Sequence, residues 1–164
     1  MPIFGKYPVI GEPAPKFSLY DQDGELHSLD DYKDKKLVVY FFQKADTPGW
    51  TKQACGFRDE SEKYNELGIK VLGISYDSKK ALIDFKEKYR IPFNFLSDSE
   101  KVTGKKYGVN NFFITSRKTF LIDEKYKEKI NTIKTMVRNP YFPEHLAQSS
   151  LKNPLLVVAM GRKL

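Results

Sequence analysis

The chain has 164 residues, of which 40% are hydrophobic and 30% are charged, and its formal net charge at pH 7 is +7. This length and composition are typical of one globular domain, predicted here over residues 1–164, and unlike those of a disordered or membrane-spanning protein. Cys55 is the only cysteine, so an internal disulfide is impossible and a cysteine-based zinc site is not expected.

The distribution of charge and apolar residues bears on partners and location. Lysines and arginines are spread along the chain and mixed with acids, which favours a solvated basic surface over a nucleic-acid site. No apolar run reaches the length of a membrane-spanning helix, and residues 1–15 lack the pattern of a secretory signal. We therefore expect a cytoplasmic protein with no nucleic-acid partner and no membrane attachment.

The first elements are a hairpin and a buried strand. Asp23-Gly24 favours a tight turn between short strands near residues 17–19 and 26–29, which predicts an amino-terminal β-hairpin. The continuous apolar run Leu37–Phe42 is typical of a strand covered on both faces, as in a parallel sheet.

Strand and helix patterns then alternate. Apolar residues at helical spacing predict a helix from Trp50 to Leu67, which ends at Gly68. A second buried strand is predicted at Ile69–Ser75, and a second helix from Ser78 to Tyr89. Such alternation implies an α/β fold built on a parallel sheet with right-handed crossovers.

The next region contains a short helix and a predicted strand pair. Residues 97–99 look like the cap of a helix that reaches about Tyr107. A strand is predicted at Lys118–Asp123, with Lys129–Val137 as its antiparallel neighbour. The turn between these strands lacks the glycine that tight hairpins favour.

The carboxyl-terminal segment is less regular. A helix is predicted at Glu144–Leu151, following Pro143. The atypical tail, residues 153–164, is apolar and then basic, and it fits either an extra strand or a docking segment.

The segment from Phe41 to Asp59 is the best candidate for chemistry, because it joins the end of a core strand to the first turn of a helix. Ligands gather at this edge of open α/β sheets, where helix amino termini point free N–H groups outward. A thiol in that first turn would be acidified by the N–H groups and the helix dipole. Position 50 is the predicted place for such a nucleophile, and it holds Trp50.

The same segment carries a resemblance to a known family. Residues 46–59, Asp-Thr-Pro-Gly-Trp-Thr-Lys-Gln-Ala-Cys-Gly-Phe-Arg-Asp, resemble the signature DTPGCTKEACGFRD of the peroxiredoxin Q, or bacterioferritin-comigratory, family. The peroxidatic cysteine of that signature falls at Trp50. Collinear matches extend the resemblance over roughly residues 10 to 150, through Val71–Ser75, Pro92-Phe93, Leu96–Asp98, Lys106–Val109 and Thr119–Asp123.

The resemblance implies a thioredoxin-like fold, with a central mixed sheet flanked by helices, and a peroxide-reducing activity. Family members attack hydrogen peroxide or organic hydroperoxides with a thiolate and are reduced by thioredoxin. Cys55 matches the resolving cysteine, Thr47 the threonine that contacts the thiolate, and Arg117 the arginine that stabilises it. Gln43 replaces the proline that usually shields the site. The resemblance further implies a monomer or dimer.

Simpler interpretations stand beside these roles. Trp50 fits an aromatic plug or a ligand-stacking platform, and Cys55 fits a small buried hydrophobe or a redox thiol. Thr47 also fits a helix cap, and Arg117 a partner for a carboxylate. His27 and His145 lie far apart with no ligand spacing, so we expect no metal, and no phosphate loop suggests another cofactor.

Three accounts of function follow. The first is a thioredoxin-dependent peroxidase that lost its peroxidatic cysteine by substitution. The second is a naturally inactive relative that serves as a binding or regulatory module. The third is a residual single-thiol redox protein acting through Cys55. All three predict negligible peroxidase turnover through position 50, because an indole cannot form a thiolate.

Overall fold

The computed structural model describes residues 14–109, 117–122, 133–136 and 156–161. A six-stranded mixed sheet has the strand order β5-β4-β3-β6-β8-β7, and a separate two-stranded sheet pairs β1 with β2. The strands are β1 Ser18–Tyr20, β2 Leu26–Ser28, β3 Lys36–Phe42, β4 Ile69–Ser75, β5 Asn94–Ser97, β6 Arg117–Ile122, β7 Ile133–Met136 and β8 Leu156–Gly161. The helices are a 3-10 turn at Leu29–Tyr32, α1 Pro48–Asp59, α2 Ser61–Glu66, α3 Lys79–Lys88 and α4 Val102–Lys106.

The parallel half of the sheet follows from continuous apolar runs. Every residue of β3 is buried, and β3 pairs in parallel with β4, which pairs in parallel with β5. The bounds of these two long strands, β3 and β4, were predicted to within one residue. A strand that is covered on both faces is a continuous apolar run, so its ends are easy to locate in the sequence. The short strand β5 was not predicted.

The antiparallel half differs from the sequence-based expectation. Strand β6 confirms the prediction at Lys118–Asp123, but its antiparallel neighbour on the side away from β3 is β8, in the tail. The prediction that Lys129–Val137 pairs with this strand is wrong, because β7 pairs in parallel with β8 instead. The apolar run of the tail therefore forms a strand between β6 and β7.

The helix predicted from Trp50 to Leu67 is two helices. The chain leaves helical geometry at Glu60, whose φ is −97° and ψ is 6°, and α2 begins at Ser61. Asp and Ser are weak helix formers, and they flank this position. The break still leaves Phe57 of α1 and Tyr64 of α2 buried with ring centroids 6.0 Å apart.

The amino-terminal hairpin is confirmed, with Tyr20 opposite Leu26. Its turn uses Gly24 at a φ of 85°, and the Asp21 carboxylate accepts hydrogen bonds from the backbone N–H groups of Asp23 and Glu25 at 2.9 Å each. The turn also packs along the free edge of β5, because the N–H of Gln22 donates to the carbonyl of Phe95 at 3.1 Å.

Helix α3 has its predicted Ser78 cap, whereas α4 begins at Val102 after the N-cap residue Lys101, so the cap predicted at residues 97–99 lies too early, although Asp98 still bonds to the first turn. The Ser78 hydroxyl accepts from the N–H of Ala81 at the start of α3, and the Asp98 carboxylate accepts from the N–H of Gly104 at 2.7 Å in α4. The predicted turn at 124–128 and helix at 144–151 lie outside the described residues. No helix within the described ranges is long and apolar enough to cross a membrane.

Candidate active site

The candidate site lies where β3 ends and α1 begins. Strand β3 ends at Phe42, a five-residue loop follows, and α1 begins at Pro48. Because β4 runs parallel to β3, the carboxyl ends of both strands lie at this edge of the sheet. The first N–H groups of α1 therefore point toward the same edge, as the sequence predicted.

Thr47 is the residue that caps α1, but its hydroxyl does not bond to the helix. Its backbone is extended and its carbonyl accepts from the N–H of Thr51 at 2.9 Å, as expected at a helix start. The hydroxyl instead donates to the carbonyl of Lys44 at 3.0 Å. Thr47 thus closes the loop before the helix.

Trp50 lies in the first turn of α1. Its side chain is half-buried and packs against the hydrophobic core. This is the place where sequence analysis expected a nucleophile. An indole has no group that ionises near neutral pH, so it supplies packing area and a ring face here.

Cys55 lies farther along the same helix, as a half-buried free thiol. Positions 50 and 55 of a continuous helix differ by about 7.5 Å of rise and roughly 140° of rotation. A disulfide needs Cα atoms about 4.4–6.8 Å apart with converging side chains. Two thiols at these positions could therefore pair only after α1 unwinds locally.

Arg117 is the first residue of β6. Because Lys118 lies opposite Phe41 in the antiparallel pair, β6 begins where β3 ends. The fold therefore brings the backbone of Arg117 to the same sheet edge as Thr47 and Trp50, although about seventy residues separate them in sequence.

A polar network anchors the loop before α1. Asp46 has a φ of 59°, and its carboxylate accepts from Lys88 Nζ at 2.7 Å and from the Tyr89 hydroxyl. These bonds, the Lys88 bond first, lower the pKa of Asp46. The N–H of Ala45 donates to Asp77 at 2.6 Å. The loop is thus tied to both ends of α3, at Asp77 before the helix and at Lys88 and Tyr89 at its carboxyl end.

Two side chains anchor α1 itself. Gln53, buried on the helix, donates through Nε2 to the Thr119 hydroxyl on β6 at 3.3 Å. Arg58 donates through Nη1 to the carbonyl of Tyr89 at 2.7 Å. Tyr89 therefore holds both the loop, through its hydroxyl, and the helix, through its carbonyl. Sequence analysis named Tyr89 only as the end of the second helix and missed this role, because both partners are distant in sequence.

Tyr40 is a second residue whose importance sequence reasoning missed. It lies in the middle of β3 with 0% of its side chain exposed, and its ring stacks on Phe57 of α1 with centroids 4.8 Å apart. Its hydroxyl finds no hydrogen-bond partner within the described part of the chain. Burial raises the pKa of Tyr40 well above its usual range, and the charge of Cys55 raises it further. The one hint in the sequence was a hydroxyl within an otherwise apolar run.

Comparison with known proteins decides the family. The family model described as AhpC/TSA matches residues 10–130. The chain belongs to the AhpC/TSA family. Its relatives place it in the peroxiredoxin Q/BCP group of that family. A bcp-type peroxiredoxin of Coxiella burnetii is 47% identical over 123 residues, which cover 70% of this chain and 82% of that protein.

A plant relative and two solved structures point to the same peroxiredoxin Q/BCP group. Chloroplastic peroxiredoxin Q of Oryza sativa subsp. japonica is 40% identical over 145 residues, which cover 87% of this chain and 64% of that protein's length. Peroxidoxin BcpB of Mycobacterium tuberculosis superposes with a TM-score of 0.69 at 30% identity, over 77% of this chain and 84% of that one. Xanthomonas campestris peroxiredoxin Q gives a TM-score of 0.63 at 26% identity, over 70% and 76% of the two chains.

These peroxiredoxin matches confirm the thioredoxin-like α/β fold with a mixed sheet, and they agree with the family named from residues 46–59. Within the described residues, no group of three or more His, Cys, Asp or Glu side chains could hold a metal ion.

Proposed function

We propose that this chain is a peroxiredoxin Q homologue whose peroxidatic centre is replaced by Trp50, so that it does not run the thioredoxin-dependent peroxidase cycle. The observation that carries the proposal is the position of Trp50 in the first turn of α1, directly after the buried strand β3. That is where the family signature has its peroxidatic cysteine. The parent activity is reduction of hydrogen peroxide and organic hydroperoxides by a thioredoxin-type reductant.

The chemical reason is the nucleophile. Peroxide reduction begins when a thiolate attacks one peroxide oxygen and becomes a sulfenic acid. The indole of Trp50 cannot become a thiolate, and its bulk fills space that a peroxide would enter. Thr47 and Arg117, the proposed partners of the thiolate and peroxide, then have no reacting atom to stabilise.

A second candidate function is single-thiol redox chemistry at Cys55. It is favoured by the half-buried position of this thiol, which leaves it open to small oxidants. A single thiol can be oxidised to a sulfenic acid and returned by an external thiol through a mixed disulfide. This role would be slower than a peroxidatic centre, because Cys55 is about one and a half turns from the amino terminus of α1.

The test is hydrogen peroxide turnover with thioredoxin and its reductase. We expect the native chain to be at least about a hundredfold slower than Trp50→Cys, because only the variant has a thiol in the first turn of α1. Native turnover equal to that of the variant would refute the proposal. Native turnover lost only in Cys55→Ser would select the single-thiol function, and an inactive Trp50→Cys variant would favour a binding module.

Location and assembly are parts of the same proposal. We infer a cytoplasmic protein that acts as a monomer or dimer. Cell fractionation and size-exclusion chromatography with light scattering test these two points, and recovery in a membrane or organelle fraction would contradict the first.

A further inference from the structure

Asp21, His27 and Tyr32 form a hydrogen-bonded chain between the hairpin and the 3-10 turn. His27 Nε2 lies 2.7 Å from Asp21 Oδ2, and His27 Nδ1 lies 2.8 Å from the Tyr32 hydroxyl. The Asp21 side chain is 4% exposed and the His27 side chain is 18% exposed, so water competes little for these bonds. A hydroxyl, an imidazole and a carboxylate in this order are the arrangement that activates a nucleophile in hydrolytic enzymes.

The charge of Asp21 determines the direction of both hydrogen bonds. Burial acts to raise the pKa of Asp21, but its hydrogen bonds, that of His27 first, lower it overall, so the group is a carboxylate that only accepts. In its neutral form, His27 therefore carries its proton on Nε2 and presents a lone pair at Nδ1. The Tyr32 hydroxyl then donates to Nδ1, which places His27 to receive the phenol proton.

Tyr32 also lies in the wall of a pocket. This pocket of about 210 Å³ lies at the amino ends of β4 and β5, because its wall includes Ile69 and Asn94, the first residues of those strands. The candidate active site lies at the carboxyl ends of the parallel strands, so the two sites are at opposite edges of the sheet. Tyr64 and Phe93 line the same pocket, which gives it aromatic walls. Its volume is below the range of about 300–1,000 Å³ that holds drug-sized ligands, so only a small molecule fits.

Asn94 offers a hydrogen-bond donor in the wall of this pocket. Its Oδ1 accepts from Gln22 Nε2 at 3.0 Å and from Lys86 Nζ at 3.3 Å, and these two donors fix the orientation of the carboxamide. Because the oxygen is occupied, the Nδ2 protons are the part of the side chain left for a ligand. A fixed amide donor of this kind stabilises the oxyanion that forms when a nucleophile attacks a carbonyl.

We propose that Tyr32 is a site of acyl transfer, at which its hydroxyl attacks the carbonyl of a small activated ester or acyl phosphate with His27 as general base. Asp21 is a positioning residue, because it holds the tautomer of His27 without touching the substrate. Asn94 binds the carbonyl oxygen. This reaction uses neither position 50 nor Cys55, so it goes beyond the proposed function and does not depend on it.

The step balances without an oxidant or a reductant. The Tyr32 oxygen forms a bond to the acyl carbon while its proton passes to His27 Nδ1. The tetrahedral intermediate then collapses, the bond between the acyl carbon and the leaving oxygen breaks, and the leaving group takes the proton from His27. In a second step, His27 takes a proton from water, the resulting hydroxide attacks the acyl carbon, and Tyr32 leaves as the free phenol with that proton.

The phenol itself limits which substrates can react. Burial, with the charges of Asp31 and Asp21, raises the pKa of Tyr32 to about 12, so the phenol loses its proton only as the new bond forms. The intermediate expels whichever oxygen is the weaker base, and an alkoxide is a stronger base than a phenolate. Aryl esters and acyl phosphates have leaving groups that are weak enough bases, whereas ordinary alkyl esters do not.

Acylation by p-nitrophenyl acetate tests this inference. The native chain, Tyr32→Phe and Asp21→Asn are treated with the ester, and mass spectrometry follows the acetyl group on the peptides that contain Tyr32 and Tyr20. Aryl esters also acetylate lysines, but the product is an amide. Hydroxylamine cleaves the acetyl ester of a tyrosine and leaves the lysine amides intact, so loss of the label in hydroxylamine identifies the tyrosine adduct.

Tyr20 is the matched control within the same molecule. It is 53% exposed, and a Lys79 ammonium lies over its ring, but His27, the one imidazole in the described part of the chain, bonds to Tyr32. We expect a hydroxylamine-labile acetyl group on Tyr32 that forms at least about tenfold faster than on Tyr20, because a general base assists only Tyr32. Tyr32→Phe should lose this label. Equal rates at the two tyrosines of the native chain would overturn the inference.

Asp21→Asn tests the positioning role. The new side chain can still accept from the backbone N–H groups of Asp23 and Glu25 through its oxygen, but its amide donates to His27 Nε2 and moves the imidazole proton to Nδ1. Labelling of Tyr32 should then fall at least about tenfold while labelling of Tyr20 stays native. Unchanged labelling of Tyr32 would refute the role of Asp21. If this variant does not fold, the comparison of the two tyrosines in the native chain still decides the inference.

Discussion

At the scale of single residues, the hairpin depends on one buried carboxylate. His27 Nε2 lies 2.7 Å from Asp21 Oδ2, and His27 Nδ1 lies 2.8 Å from the Tyr32 hydroxyl. Burial acts to raise the pKa of Asp21, but the His27 hydrogen bond and the N–H groups of Glu25 and Asp23 lower it overall. Burial, with the charges of Asp31 and Asp21, raises the pKa of Tyr32 to about 12, so its hydroxyl keeps its proton at physiological pH.

These bonds predict a loss of stability in acid. A carboxyl whose pKa is lowered on folding stabilises the protein above its unfolded pKa, and this contribution disappears as pH falls through the folded value. For Asp21 the unfolded value is 3.8. We expect Asp21→Ala to lose about 2 kcal/mol at neutral pH, because several buried hydrogen bonds to a charged group are removed.

Urea unfolding at a series of pH values measures this effect. The difference between the native chain and Asp21→Ala should be constant near neutrality and shrink below pH 3.8. Asp84→Ala is the control, because Asp84 is exposed and pairs with Lys80 on the surface of α3. A difference independent of pH would show that Asp21 acts through packing and not through its charge.

At the scale of secondary-structure elements, Gly73 sets how closely β4 approaches its neighbours. A Cβ at this position would lie 2.5 Å from Phe95 Cδ1 and 3.1 Å from Phe42 Cε1. Both rings are buried and cannot move aside cheaply. We therefore predict that Gly73→Ala destabilises the fold by about 1–3 kcal/mol in denaturant unfolding. Lys70→Ala, at an exposed position of the same strand, is the control; equal stability of the two variants would contradict the close approach.

The loop and α1 depend on Tyr89 in a way that hydrogen exchange can measure. Tyr89→Phe removes the bond to Asp46 and keeps the ring packed on Phe85, whose centroid is 5.1 Å away. We predict severalfold faster amide exchange over residues 43–49, with native exchange in β3 and β4. Tyr20→Phe, on the exposed hairpin, should leave exchange in that loop unchanged. Native exchange in Tyr89→Phe would mean that Lys88 and Asp77 suffice to hold the loop.

Some helices and strands of this fold could be predicted from the sequence, and others could not. Strands β3 and β4 and helix α3 were predictable, because long apolar runs and a Ser cap are local signals. The break between α1 and α2 was not, since no Gly or Pro marks residue 60. The insertion of β8 between β6 and β7 depends on pairing between segments far apart in sequence, which periodicity does not encode.

The candidate site was also predictable only in part, because some of its residues are local in sequence and others are distant. Trp50, Cys55 and Thr47 belong to one continuous segment, so their order along α1 was readable from its pattern. Arg117 could be placed beside them only through the resemblance, because the pairing of β3 with β6 brings it there. The sequence only hinted at the orphaned hydroxyl of Tyr40, because a tyrosine in an apolar run shows that a hydroxyl is buried but not whether it has a partner.

At the scale of the whole molecule, the end of β3 and the start of α1 come together at Trp50, where our proposal places the nucleophile of the family. The central claim is that position 50 is the place of that nucleophile. Trp50→Cys restores a thiol there, with Cys55 available on the same helix as its partner. Unwinding of α1 is the movement that their pairing requires.

The most direct measurement is the fate of the two thiols in Trp50→Cys after one equivalent of hydrogen peroxide. We predict that both disappear rapidly and that peptide mapping finds a disulfide between positions 50 and 55, with a sulfenic acid trapped at position 50 when Cys55→Ser is added. A thiol at position 50 that reacts with peroxide no faster than Cys55 does in the native chain would contradict the claim.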